Sequence, residues 1–89
     1  MAELIHQFRE PITSRGGVSY VAQAWMEHDG DWKGWLVFIA ADGAILRTGH
    51  LCAYPSRDMM RRWAARLPAR ALAAGLARAV PASAELPAA

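Results

Sequence analysis

The chain has 89 residues, of which 54% are hydrophobic and 20% charged, so it can form one small globular domain and is not a disordered polypeptide. Its formal net charge of +2 is too small to indicate a nucleic-acid partner by itself. The lone Cys52 excludes an intramolecular disulfide, and the longest uncharged apolar run, residues 34–41, is far shorter than the roughly 20 residues of a membrane helix. Glu3 and the lack of an apolar stretch beside it are unlike a signal peptide, so we expect a cytoplasmic protein without membrane association.

The first two thirds of the chain have the pattern of antiparallel strands. Hydrophobic and β-branched residues form runs that are separated by turn residues, and a turn is expected at residues 28–31, His-Asp-Gly-Asp. We predict an antiparallel meander of three strands, with a short first segment as a fourth strand that Pro11 would end. The predicted strands are residues 18–27, 32–41 and 44–53, with residues 4–9 as the fourth.

The turn at Asp42-Gly43 decides which side chains share a face of the sheet. A two-residue loop would place Phe38 opposite Arg47, whereas a three-residue loop with Gly43 in the left-handed region pairs Phe38 with Leu46. We favour the three-residue loop because it leaves one face without a formal charge. That inner face would carry Tyr20, Ala22, Ala24, Met26, Gly34, Leu36, Phe38, Leu46, Thr48 and His50, and the outer face Gln23, Trp25, Glu27, Lys33, Trp35, Val37, Ile39, Ile45 and Arg47.

The last third is predicted to be helical. Ser56 can cap a first helix whose apolar stripe contains Met59, Met60, Trp63 and Leu67. Pro68 should break or kink the helix, and a second segment at residues 69–80 places Leu72, Leu76 and Val80 at steps of four. The resulting fold class is α+β, with a C-terminal helical pair packed on the inner face. Residues 1–80 would form one domain and residues 81–89 a disordered tail.

The outer face is the predicted site of function. Two tryptophans and three aliphatic residues there would form an exposed apolar patch with a polar rim, and such patches mark interaction surfaces. The alternatives are that the first strand or the tail covers this face, or that the register is inverted and the face is core. The predicted interface, with the chain itself or a larger bacterial complex as protein partner, consists of Gln23, Trp25, Lys33, Trp35, Val37, Ile39, Ile45 and Arg47.

A second candidate surface is a ridge of arginines on the helical part, which we call the arginine ridge. It could contact nucleic acid or an acidic protein, and it would also serve an accessory or inhibitor of a nucleoprotein complex. A simple solvated helix face has the same pattern. RNA binding on the sheet is disfavoured because the aromatic residues and the arginines lie on different elements. The ridge consists of Arg57, Arg61, Arg62, Arg66 and Arg70.

The sequence contains no convincing catalytic, cofactor or metal motif. His50 and Cys52 lie two apart and would share a face of one strand, which suits two metal ligands, but a buried thiol and a hydrogen-bonded histidine explain them better. The turn residues Asp29, Asp31 and Asp42 suit local hydrogen bonds rather than acid–base catalysis. We therefore expect a protein that is not an enzyme and has no cofactor.

Several segments between residues 18 and 80 resemble a group of short, uncharacterised bacterial proteins. The most specific segment is W-x-G-W-L-x-F at residues 32–38, followed by WA-x-x-L at 63–67 and L-x-RA at 76–79. Further likeness lies at residues 20–24, 46–48 and 55–57. Members of that group often have an acidic residue where Val37 stands here. The valine makes the outer face of this chain more apolar than theirs. The resemblance implies no activity, cofactor or site.

Overall fold

The computed structural model describes residues 1–82, which form one sheet and two helices. The chain forms β1 (Glu3–Gln7), β2 (Ile12–Thr13), β3 (Ser19–Asp29), β4 (Asp31–Ala40), β5 (Ile45–Arg47), β6 (Cys52–Tyr54), α1 (Arg57–Ala65), α2 (Ala69–Arg78) and β7 (Val80–Pro81). The sheet order is β1-β3-β4-β5-β7, with β2 also on β3 and β6 also on β4. Every pairing is antiparallel, so the prediction of a small α+β domain with an antiparallel sheet and two helices is confirmed.

The hairpin of β3 and β4 is the centre of the sheet. Its strands pair along their whole length around Gly30, whose φ of 77° is accessible to glycine without strain, and Trp25 lies directly opposite Trp35. At the next turn, the Gly43 amide donates to the Ala40 carbonyl at 3.0 Å and Gly43 has a φ of 91°. Phe38 therefore pairs with Leu46, which confirms the register of the three-residue loop.

The predicted strand at residues 44–53 is interrupted. Thr48 is buried, and its hydroxyl accepts a hydrogen bond from the Leu36 amide at 3.0 Å and donates one to the Gly49 carbonyl at 2.8 Å. Because this side chain substitutes for part of the ladder, the chain bulges outward before Leu51 donates to the Gly34 carbonyl at 2.7 Å. The bulge separates β5 from β6 and turns His50, which lies within it, to the outer face, while Cys52 after it lies on the inner face.

The C-terminal end of the described chain belongs to the sheet. Val80 was expected at the end of the second helix, but α2 ends at Arg78 and Val80 pairs with Arg47 as part of β7. Pro81 pairs with Leu46, and the Ala82 amide donates to the Ile45 carbonyl at 2.8 Å, so these two residues are packed against β5 rather than in the predicted tail. The remainder of that predicted tail, residues 83–89, lies outside the described residues.

Both helices cover the inner face of the sheet, as their apolar stripes require. Ser56 caps α1 by accepting from the Met59 amide at 3.3 Å, and Pro68, which has no amide donor, stands between α1 and α2. A Cβ on Gly34 would lie 2.6 Å from Met60 Cε, and one on Gly75 would lie 2.9 Å from Leu36 Cδ1. The core beneath the helices includes Ala22, Ala24, Leu36, Phe38, Ala64, Leu72 and Leu76.

Candidate functional site

The outer face of the sheet carries no helix, and its side chains form rows that run across the strands. One row is entirely apolar: Val21 on β3 pairs with Ile39 on β4, which pairs with Ile45 on β5. Val21 is 38% exposed and Ile45 37%, with Ile39 partly buried between them. This apolar row is the open part of the outer face.

The next row is mostly polar. Gln23 lies opposite Val37, which lies opposite Arg47, while Gln7 on β1 and Val80 on β7 extend the row to the two rims of the sheet. The Gln23 amide nitrogen donates to Gln7 Oε1 at 2.9 Å. These side chains are thereby held along the sheet surface, and they cover Val37, which is only 6% exposed.

The third row contains the two outer-face tryptophans. Leu4 on β1 pairs with Trp25, and Trp25 pairs with Trp35. The Trp25 indole donates to Gln23 Oε1 at 2.9 Å, so its ring is fixed and half-buried. Beyond this row, Glu27 pairs with Lys33, whose ammonium also lies 3.6 Å from Asp29. The outer face therefore carries charges of both signs next to the tryptophan row.

Trp35 is buried although no secondary-structure element covers it. Its exposed fraction is 1%, because the Arg47 guanidinium lies 4.9 Å from its ring centroid and the His50 ring lies 5.7 Å from it on the same face. Within residues 1–82, its indole nitrogen is buried and has no hydrogen-bond partner. An unmet donor costs about 1–3 kcal/mol, which the cation–π contact with Arg47 offsets only in part.

Two residues of the predicted interface are therefore not available for contact. Trp35 and Val37 were expected to be exposed, but neighbouring side chains lie flat over them, and they support the surface from below. Gln23, Trp25, Lys33, Ile39 and Arg47 are partly buried and Ile45 is exposed, so these six reach the surface.

Other surface residues on this face were missed in the sequence. The alternation of β3 places Val21 beside Gln23 on the outer face, and that signal was available. Leu4 and Val80 reach the face only through the pairings of β1 and β7 with distant strands, for which the sequence has no local signal. His50 was expected on the inner face, but the bulge after Thr48 turns it outward.

The bulge also separates the two residues considered as metal ligands. Cys52 pairs with Gly34 and its Sγ lies on the inner face near α1, whereas His50 lies over Trp35 on the outer face, so the expectation that they share a face is wrong. Burial raises the pKa of the Cys52 thiol to about 11, which makes the small thiolate fraction at neutral pH smaller still. Among the described residues, no group of three or more His, Cys, Asp and Glu side chains is arranged for a metal ion.

The arginine ridge divides into two groups. Arg57 contacts the Glu3 carboxylate and lies 5.1 Å above the Trp32 ring, and Arg61 lies 3.2 Å from Asp58. Their charges are thus compensated within the domain. Arg62, Arg66 and Arg70 are exposed and make no salt bridge within residues 1–82. The ridge is therefore a smaller cationic surface than the sequence indicates.

Comparisons of the chain with protein-family models, with curated proteins and with solved structures return no match. The resemblance to short bacterial proteins therefore stays a prediction. Neither described helix is long and apolar enough to cross a membrane.

Proposed function

We propose that this chain is a non-enzymatic protein–protein interaction module that binds through the outer face of its sheet, and that its partner is a second copy of the chain. The proposal rests on the apolar row of Val21, Ile39 and Ile45, which no described element covers. Leu4 and Val80 extend apolar surface to both rims of the same face. Aliphatic side chains that stay exposed together on an otherwise well-packed face gain free energy when another surface removes them from water.

The charges of the outer face favour a like partner. Glu27 and Lys33 lie opposite each other in one row, and Arg47 lies further along the face. A face with both signs can meet its own copy across a two-fold axis, because the carboxylate of one copy can then approach a cation of the other. A partner of one strong sign would instead be repelled at part of this surface.

The dimensions of the face also suit a dimer. Four strand positions, taken by β1 with β2, by β3, by β4 and by β5 with β6, and the ten residues of β4 define its width and length, with the two residues of β7 at one rim. At about 4.8 Å per strand and about 3.3 Å per residue, these give a footprint of roughly 600 Å². Each partner of a standard protein interface buries about 800 Å², which is of the same order.

Analytical ultracentrifugation of the full chain tests the proposal. We expect the wild type to sediment as a dimer at micromolar concentration and the variant Val21→Glu/Ile45→Glu to sediment as a monomer, because each carboxylate would be desolvated in the interface. Both positions are more than a third exposed, so the variant should keep its fold, which circular dichroism would verify. Substitution of Trp35 is a poorer test, since that side chain is 1% exposed and its truncation would cost about 3–5 kcal/mol of stability.

The control is Met59→Glu, which adds one carboxylate at a residue that is 39% exposed but lies on α1, away from the outer face. This control should remain dimeric. A wild-type protein that is monomeric at high micromolar concentration, or a Met59→Glu variant that dissociates as readily as the double variant, would remove the proposed self-association.

A further inference from the structure

The helical side of the molecule has a concavity of about 360 Å³ beside the second half of α1. This is at the small end of the range for ligand sites, and it has room for one side chain and its flanking groups. It lies on the helical side of the sheet and does not depend on the outer face. Its lining consists of Tyr54, Met59, Arg62, Trp63, Arg66 and Leu67.

The two cations of this concavity belong to the three ridge arginines that make no salt bridge within residues 1–82. Arg62 and Arg66 lie one helical turn apart, so their side chains stand side by side on the helix surface. Both are exposed, and neither makes a salt bridge within residues 1–82. Arg57 and Arg61, whose charges Glu3 and Asp58 compensate, do not line the concavity. Within residues 1–82, two of the three ridge arginines that make no salt bridge therefore line this hollow.

The apolar lining needs an apolar occupant. Met59 is 39% exposed, and Leu67, Tyr54 and Trp63 are partly buried around the hollow. Trp63 is held rigidly, because its Cζ3 edge lies against Gly34, 2.7 Å from where a Cβ would stand. A fixed hydrophobic hollow beside two forked cations is suited to one apolar side chain that carboxylates flank.

From this arrangement we propose that the concavity binds a short acidic peptide segment of a partner protein. One apolar side chain of the segment occupies the hollow between Met59, Trp63 and Leu67, and neighbouring carboxylates pair with Arg62 and Arg66. Nucleic acid suits the site less well, because the edge of Trp63 is packed against the sheet and two free arginines match few phosphates.

Nuclear magnetic resonance titration of the full, isotope-labelled chain tests the inference. The probe is an acetylated and amidated pentapeptide with one leucine between two pairs of glutamates. We expect saturable shifts that centre on Tyr54, Met59 and residues 62–67. The same peptide with lysines for the glutamates, or with alanine for the leucine, should bind at least several-fold more weakly.

Paired variants assign the binding to these arginines. Arg62→Gln/Arg66→Gln should lower the affinity for the peptide by roughly tenfold or more, since the double variant lacks two charge-assisted contacts. Arg61→Gln/Arg70→Gln changes the net charge equally, on exposed residues outside the lining, and should change the affinity by less than about twofold.

Three results would overturn the inference. One is the absence of saturable binding at millimolar peptide. Another is an equal loss of peptide affinity in the two double variants, since binding would then depend on net charge alone. The third is a short oligothymidylate that binds more tightly than the peptide and shifts the same residues. None of these results bears on the dimer, which uses the other side of the sheet.

Discussion

The two faces of the central hairpin achieve burial in opposite ways. On the inner face, Gly34 and small side chains let the helices approach until Met60 and Trp63 touch the strand backbone. On the outer face, Trp35 is equally buried, but the side chains of Arg47 and His50 lie over it in place of a second layer. A low exposed fraction in a strand therefore does not by itself reveal whether another element covers the face.

Removing a large inner side chain should have the largest effect on stability. Phe38 is 0% exposed and Ile45, in the neighbouring strand, is 37% exposed. We expect Phe38→Ala to lower the free energy of unfolding by about 3–5 kcal/mol through loss of transfer free energy and cavity formation. Ile45→Ala should cost about 1 kcal/mol, because part of that side chain is already in water. Urea unfolding measures both free energies. Equal losses in the two variants would contradict the difference in burial between the inner and the outer face.

Adding a single methyl group to the inner face tests how closely the helices approach. In Gly34→Ala the new Cβ would meet Met60, Trp63 and the Cys52 thiol at 3.0 Å or less, so we expect a loss of about 1–3 kcal/mol from overpacking. Gly49→Ala is the control, because a Cβ there meets nothing within 4 Å. That control should stay within about 0.5 kcal/mol of the wild type in thermal or urea unfolding. A Gly34→Ala variant with unchanged stability would show that the helices can move away from the sheet to make room for the methyl group.

Removing the cation above Trp35 tests how the outer face is closed. Arg47→Met keeps the aliphatic stem and removes the guanidinium that lies 4.9 Å from the ring centroid. We expect a loss of about 0.5–1 kcal/mol in urea unfolding. Arg70→Met, at an exposed residue without a salt bridge in residues 1–82, should have almost no effect. If the two variants lost the same free energy of unfolding, burial of Trp35 would not depend on the charge of Arg47.

The thiol on the inner side of β6 should affect stability only at alkaline pH. The pKa of Cys52 is about 11 in the folded chain against 9.0 for a free thiol, so the unfolded chain loses this proton first as the pH rises. The stabilising difference is complete below pH 9 and is lost as the pH rises toward 11. Between pH 8 and pH 11, the free energy of unfolding measured with urea should decline more steeply for the wild type than for Cys52→Ser. Parallel profiles would contradict a raised pKa for this thiol.

The local features of the sheet could be predicted from the sequence. Asp42-Gly43 defines the three-residue loop, and strand alternation then assigns Leu36 and Phe38 to the helical side. These predictions succeeded because turn chemistry and alternation act over a few residues.

The predictions that were wrong concern features that depend on contacts between distant parts of the chain. The bulge exists because the Thr48 hydroxyl binds the Leu36 amide across the sheet, and it sends His50 to the opposite face. The charge of Arg57 is compensated because β1 brings Glu3 to it, although the two residues are 54 positions apart in the chain. No pattern within a short window contains this information.

Pro81 has a consequence for the rim of the sheet that β7 forms. Val80 and Ala82 direct their amides toward β5, as the bond from Ala82 to Ile45 indicates, so the position between them faces away from the sheet. Because proline has no amide hydrogen, an incoming strand finds no donor there. A strand that pairs at this rim therefore makes fewer hydrogen bonds, and lateral association of sheets should favour the other open edges of the described chain, at β1, β2 and β6.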